Sequence, residues 1–210
     1  MTTAAIVLAG GRSTRLGRDK ATTPLLGVPL LQRVLDRLAG LMDECVIVTR
    51  PGQKLDGVAT GASRVIEDLF PDNGPLGGLY TGLISIESPI AIAVACDMPL
   101  LQPPLLRELL RLLPEHDAVV PLSNGLPQPL CAIYAKSCLA TIQRQLDAGN
   151  LRLLDLCAGL PIRYVETDEW RRFDPDGLSF QNVNREEDLR RVAELLKSQA
   201  SNPAQTGWRL

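Results

Sequence analysis

The sequence predicts a doubly wound α/β domain on a mostly parallel sheet, and three observations carry that reading. Short apolar runs rich in β-branched residues alternate with segments of helical spacing, the rhythm of a sheet covered on both faces. The 210 residues are 45% hydrophobic, enough for one substantial core. No repeat, low-complexity linker or composition break marks a second domain, so residues 1–200 are expected to form one domain and 201–210 a flexible tail.

The elements follow in order. Ala4 to Ala9 (AAIVLA) reads as a first buried strand, Cys45 to Val48 as a second, Arg64 to Ile66 as a third and Ile90 to Ala95 (IAIAVA) as a fourth. Between the first two, Leu30, Leu31, Val34, Leu35, Leu38 and Leu41 fall at helical spacing, with Pro29 suited to a first turn. Pro104 to Leu113 looks helical, Asp117 to Pro121 and Leu130 to Tyr134 look like strands, Ser137 to Ala148 returns to helix, and Ile162 to Val165 is a short strand. A last helix runs from Arg185 to about Gln199, with Asn184 as N-cap and Glu187 three residues on, resembling a capping box.

Charge and composition exclude several functions. With 22 Lys+Arg against 24 Asp+Glu the net charge is -2, a poor match for nucleic acid. No apolar run approaches the roughly 20 residues of a membrane-spanning helix, and the N-terminus lacks the pattern of a signal peptide, so no membrane partner and a cytoplasmic location are expected. The five cysteines form no C-x-x-C pair and read as reduced, structural thiols. The lone His116 has no metal-like spacing, which removes His-based triads and zinc sites.

Directly after the first strand comes GGRSTRLGRDK, Gly10 to Lys20, with Arg12, Arg15, Arg18 and Lys20 against the single acid Asp19. Glycines bring backbone N–H groups close to a ligand while the cations neutralise phosphate, which suits a triphosphate. Neither the Walker pattern nor G-x-G-x-x-G fits its spacing. A solvated turn would explain the arginines equally, but the carboxyl end of a first strand is where open α/β sheets bind ligands. Two strands also end in aspartates, Asp68 in VIED and Asp97 in AVACD, on the same expected edge. Asp97 suits Mg²⁺ as a hard oxygen ligand beside nucleotide phosphates, or it caps the turn before Pro99; Asp68 could form an Asx-type cap for the loop that follows it. In GPLGGL (Gly74 to Leu79), glycine amides near a helix N-terminus could hold a phosphate, or the glycines could serve close packing alone.

The stretch LAGGRSTRLGRDK, followed by PLLGVPLL, resembles the signature of the molybdenum cofactor guanylyltransferase family, a group of molybdopterin nucleotidyltransferases. VIED, GPLGGL, ACDMP, QPLCAIY and FQNVN follow in the family's order and carry the likeness over nearly the whole chain. Leu16 replaces the usual Met, and Thr49 stands where enterobacterial members carry Asn. The resemblance implies a Rossmann-like nucleotidyltransferase that moves GMP from GTP to the terminal phosphate of molybdopterin, with Mg²⁺ as cofactor. Transient contact with cofactor-insertion proteins or apo-molybdoenzymes would follow. Leu8, Ala9, Gly10, Gly11, Lys20, Thr49, Asp68 and Asp97 are the expected nucleotide contacts, with Asp97 the metal ligand. Arg15, Gly74, Gly78, Arg152, Asn182 and Asn184 are the expected acceptor-side contacts, and Arg15, Lys20 and Asp97 the catalytic set. CMP transfer, another phosphorylated acceptor, and a binding module that delivers nucleotide or cofactor without chemistry are the alternatives.

Overall fold

The computed structural model describes residues 2–11 and 16–201. The chain runs β1 (Thr3–Leu8), β2 (Pro24–Leu25), β3 (Val28–Pro29), α1 (Leu30–Leu38), β4 (Glu44–Thr49), β5 (Arg64–Glu67), α2 (Gly74–Ser85), β6 (Ile90–Ala95) and α3 (Pro103–Arg111). It continues through β7 (Ala118–Ser123), β8 (Leu126–Pro127), β9 (Cys131–Ala135), α4 (Leu139–Asp147), α5 (Leu153–Leu156), β10 (Ile162–Val165), α6 (Thr167–Trp170) and α7 (Glu186–Ser201). The expected tail lies outside the described residues apart from Ser201, which ends α7.

The main sheet has the order β10-β7-β9-β6-β1-β4-β5, with β8 paired to β7. β1 is parallel to both β4 and β6, β4 to β5, and β10 to β7. β9 runs antiparallel between β6 and β7, so the mostly parallel reading holds with one reversed strand. Period-two alternation decides which side chain meets which layer. Ala5 and Val7 face a core shared with Leu31, Val34, Leu105 and Leu109 of α1 and α3. Ala4 and Ile6 face the opposite core with Leu76, Leu79 and Leu83 of α2 and Ile142 of α4. Helices on both faces of one sheet make the fold doubly wound.

Three local details depart from the sequence reading. Pro29 precedes α1 instead of opening it, because it pairs with Pro24 in the β2–β3 hairpin, and α1 ends at Leu38 before Gly40 at φ 72°, leaving Leu41 beyond the helix. The helix expected from Ser137 starts as a 3₁₀ turn over Lys136–Cys138 and becomes α-helical at Leu139. At α7, which begins at Glu186, Asp188 makes the reach-back contact expected of Glu187: its carboxylate accepts the N–H groups of Asn184 at 2.9 Å and Arg185 at 3.0 Å. The Asn184 side chain points elsewhere, its Oδ1 accepting from Lys20 Nζ.

Candidate nucleotide site

The chain winds outward from β1 to β4 and β5, then returns through α2 to β6 on the other side of β1. The gap between β1 and β6 is therefore the switch point of the sheet, where the carboxyl ends of neighbouring strands feed loops in opposite directions. A cavity of about 500 Å³ opens there. Its walls come from Leu8, Gly10 and Gly11 after β1, Lys20, Asp68 after β5, Gly74 and Gly78 of α2, and Ala95, Cys96 and Asp97 after β6.

One side of this region is polar. Lys20 Nζ donates to Asp97 Oδ2 at 2.8 Å and to Asn184 Oδ1 at 2.6 Å, and Asn182 Nδ2 lies 3.4 Å from Asp97 Oδ1. The Lys20–Asp97 pair is mostly shielded, with side chains 20% and 10% exposed. Residues up to 164 positions apart meet here because the Val183 N–H donates to the Asp97 carbonyl at 2.8 Å, tying the segment before α7 to the end of β6. Leu16, Leu25, Leu30 and Leu100 pack with Val183, Leu189 and Val192 beneath it, so apolar burial holds α7 against the site. Four expected site residues, Lys20, Asp97, Asn182 and Asn184, are thus brought together.

The turn after β1 is partly committed to the sheet. The Ala9 N–H donates to Val48 O at 2.8 Å, and Leu8 O accepts from the Cys96 N–H at 3.1 Å. Ala9 lines the cavity with its N–H already engaged by the sheet. Gly10 and Gly11 differ in what they require. A Cβ on Gly10 would stand 2.9 Å from Arg50 N, so that glycine serves the close approach of two loops. Among the described residues a Cβ on Gly11 would meet nothing within 4 Å, so their packing does not explain it.

Asp68 forms the cap that the sequence offered and stands in the cavity wall. Its Oδ1 accepts the Phe70 N–H at 2.9 Å and the Thr81 hydroxyl at 2.8 Å, an Asx-type turn, while the residue also lines the cavity. Gly74 opens α2 at φ 59° on the cavity wall. A Cβ on Gly78 would lie 3.1 Å from Leu8 Cδ2, so this glycine both lines the cavity and brings α2 close to β1. Gly77 is a packing residue, since its Cβ would come within 2.5 Å of Phe70 O.

Four expected contacts do not line the cavity: Asn182 and Asn184 reach it through Asp97 and Lys20, while Thr49 and Arg152 stand apart from it. Thr49 is 1% exposed and its hydroxyl donates to Ile66 O at 3.2 Å; it follows Val48 on β4, and strand alternation turns it away from the face that carries Val48 into the cavity wall. Arg152 precedes α5 with its side chain 76% exposed, 4.0 Å from Asp155, and does not line the cavity. Arg15 and Arg12 lie outside the described residues.

Some of the wall had no sequence signal strong enough to find it. Asp72, Pro71, Pro75 and Leu130 line the cavity, Leu130 from within the quoted QPLCAIY segment. Cys96 lies in the cavity wall, where burial pushes its thiol pKa far up and the neighbouring Asp97 adds to the shift, so it stays a neutral thiol. Among the described residues no group of three His, Cys, Asp or Glu side chains comes together to hold a metal ion. A divalent cation here would have Asp97 as its protein ligand and take further oxygens from a bound triphosphate and water, a donor set that suits Mg²⁺.

An open sheet wound on both faces, with a glycine turn, a lysine and a strand-end aspartate at its switch point, defines a nucleotidyltransferase-type α/β domain. Residues 5–164 match the family model described as the MobA-like NTP transferase domain, and the chain belongs to that family. It is 36% identical to the probable molybdenum cofactor guanylyltransferase of Natronomonas pharaonis, over 91% of this chain and 96% of the relative. It is 34% identical to the molybdenum cofactor guanylyltransferase of Desulfosudis oleivorans, over 92% of this chain and 95% of the relative. Among solved structures it resembles molybdopterin-guanine dinucleotide biosynthesis protein A from Archaeoglobus fulgidus, with a TM-score of 0.82 and 27% identity over 93% of this chain and 99% of the other.

Proposed function

We propose that the protein transfers GMP from GTP to the terminal phosphate of molybdopterin, forming the guanine dinucleotide cofactor and releasing pyrophosphate. The observation that carries this reading is the Lys20–Asp97 pair at the edge of a cavity whose other wall is the glycine turn after β1, in a chain whose relatives are named for that reaction.

In this reading an oxygen of the pterin phosphate attacks the α-phosphorus of GTP. A new P–O bond forms as the bond from the α-phosphorus to the bridging oxygen of pyrophosphate breaks, and the electron pair leaves with pyrophosphate. The attacking phosphate has a second pKa near 6, so it is already largely ionised at neutral pH and no general base is needed. The chain's own work is alignment and charge neutralisation. The Gly10 and Gly11 amides face the phosphates, Lys20 moves its ammonium from Asp97 to the α-phosphate region, and Asn184 keeps hold of Lys20 as it does so. Asp68 orients the nucleoside from the opposite wall. Mg²⁺, held by Asp97, would supply positive charge to the triphosphate. Arg15, Gly74, Gly78 and Asn182 are assigned to the pterin side, and residues 1–200 act as one domain.

The reaction is placed in the cytoplasm, a reading supported by five unpaired cysteines and by the absence, among the described residues, of a helix long and apolar enough to cross a membrane. Its product would pass to insertion proteins or apo-molybdoenzymes by transient contact. The test is pyrophosphate release with magnesium, molybdopterin and each nucleoside triphosphate in turn. Release with GTP alone supports the proposal; release with CTP alone selects cytidylyl transfer, and none with any triphosphate selects a binding module.

A further inference from the structure

The residue next to Lys20, Asp19, is the single carboxylate of the glycine-rich loop, and the reaction outlined above gives it no role. Asp19 Oδ1 accepts the Ala21 N–H at 2.9 Å. Its Oδ2 accepts from Arg50 Nη2 at 2.8 Å and from Gln53 Nε2 at 2.9 Å. The same Gln53 Nε2 donates to Ala9 O at 3.1 Å, while Gln53 Oε1 accepts the Arg50 N–H at 3.1 Å. One carboxylate thus joins three separate pieces of chain: its own turn, the loop after β4, and the end of β1.

The arrangement matters because of where Lys20 stands. It follows Gly11 by nine positions, so the register of β1 cannot fix its position relative to the turn that ends in Gly11. The contacts of its immediate neighbours must do so. The Thr23 hydroxyl donates to Asp19 O at 2.7 Å, the Thr23 N–H to Lys20 O at 3.1 Å and the Leu31 N–H to Ala21 O at 3.1 Å, which fixes the backbone of the Lys20 turn against the start of α1. Ala21 packs into the core that β1 shares with α1, and Asp19 adds a polar tie from the same turn to the end of β1 through Arg50 and Gln53. The Asp19 side chain is 19% exposed, and placing a negative charge beside a phosphate site is unfavourable unless a cation offsets it. Arg50 provides that cation, so the carboxylate can act as an anchor without repelling the triphosphate.

We infer that Asp19, neutralised by Arg50 and braced by Gln53, is a positioning residue that sets Lys20 against the glycine turn and so aligns the nucleotide phosphates. The inference rests on the proposed nucleotide site, and the test separates the two. It is a double-mutant cycle in GTP affinity, measured calorimetrically with magnesium on Asp19→Ala, Lys20→Ala and the double variant, with turnover followed alongside. Asp19→Ala is expected to weaken GTP binding by about tenfold or more in the wild-type background and by about twofold or less once Lys20 is alanine. Asp19→Asn, which keeps the acceptor for Ala21 but turns an amide toward the donors of Arg50 and Gln53, is expected to behave like Asp19→Ala. Thermal unfolding of each variant separates local misplacement from loss of the fold. Equal losses in both backgrounds, or wild-type affinity in Asp19→Asn, overturn the positioning role and leave the nucleotide site standing. A wild-type protein that binds no GTP overturns both.

Discussion

Lys20 Nζ and Asp97 Oδ2 lie 2.8 Å apart, pairing within the free protein the cation and the carboxylate that the proposed reaction needs at different atoms of one substrate. The pair is shielded enough for its mutual attraction to exceed that of an exposed ion pair. In the proposed reaction a bound triphosphate and its cation would replace this contact with two others, Lys20 to phosphate and Asp97 to metal. The internal pair therefore holds both groups in place before the nucleotide arrives.

Asp97→Asn is expected to reduce transfer by about a hundredfold or more, the scale seen when one electrostatic stabiliser is lost. The fold should persist, because the Val183 N–H is held by the Asp97 backbone carbonyl and not by its carboxylate. Turnover measured across a magnesium titration, beside a thermal melt, checks this; near wild-type turnover would remove the metal role.

Lys20→Ala leaves Asp97 and Asn184 without the ammonium that both accept from. Nucleotide affinity and turnover are expected to fall about tenfold to several hundredfold, corresponding to about 1 to a few kcal/mol for a lost charged contact. Steady-state kinetics with GTP varied at saturating pterin reads the effect.

Thr49→Val should leave GTP affinity unchanged, since the hydroxyl is buried on Ile66 O and not at the cavity. Its cost is expected in stability alone, about 1 kcal/mol for one lost internal hydrogen bond. Calorimetric titration with GTP, alongside denaturant unfolding, distinguishes the two effects.

Gly82→Ala and Gly11→Ala should give opposite results. A methyl on Gly82 would come within 2.4 Å of Ile6 Cγ2, forcing α2 off β1 at a cost of about 1–3 kcal/mol. A methyl on Gly11 meets none of the described residues within 4 Å, so the melt should be unchanged while GTP affinity falls about tenfold, or about 1.4 kcal/mol. Thermal unfolding and nucleotide titration of both variants give the comparison.

The buried thiols should be inert at neutral pH. Burial pushes Cys138 up to about 12 and Cys96 and Cys131 higher still, so the reactive thiolate forms only far above neutrality. Alkylation followed by mass spectrometry at pH 7 should leave all three unmodified in the folded protein and modify them after denaturation.

Much of this arrangement was legible in the sequence because the signals were local. β1, β6 and β10 follow from unbroken apolar runs, and Lys20 and Asp97 from their places after strands. What sequence could not supply was the partner of each polar group. The sequence assigned Asn184 to an N-cap, but its Oδ1 accepts from Lys20 Nζ while its N–H is held by Asp188, a choice that depends on how the helix start is oriented. Thr49 lies on the wrong side of β4 for the cavity because strand alternation decides its direction, while Asp19 is a local acid whose function appears only when the loop after β4 is in place. The reversal of β9 depends on pairing between distant strands, which no local pattern records.

The most direct test of the central claim follows the label from GTP radiolabelled at the α-phosphorus, or separately at the γ-phosphorus, after incubation with the protein, magnesium and molybdopterin. The account predicts that α-label appears in the pterin dinucleotide and γ-label in pyrophosphate. Label from the γ-position in the pterin product, or α-label that never leaves free nucleotide while the protein stays folded and binds GTP, would contradict it.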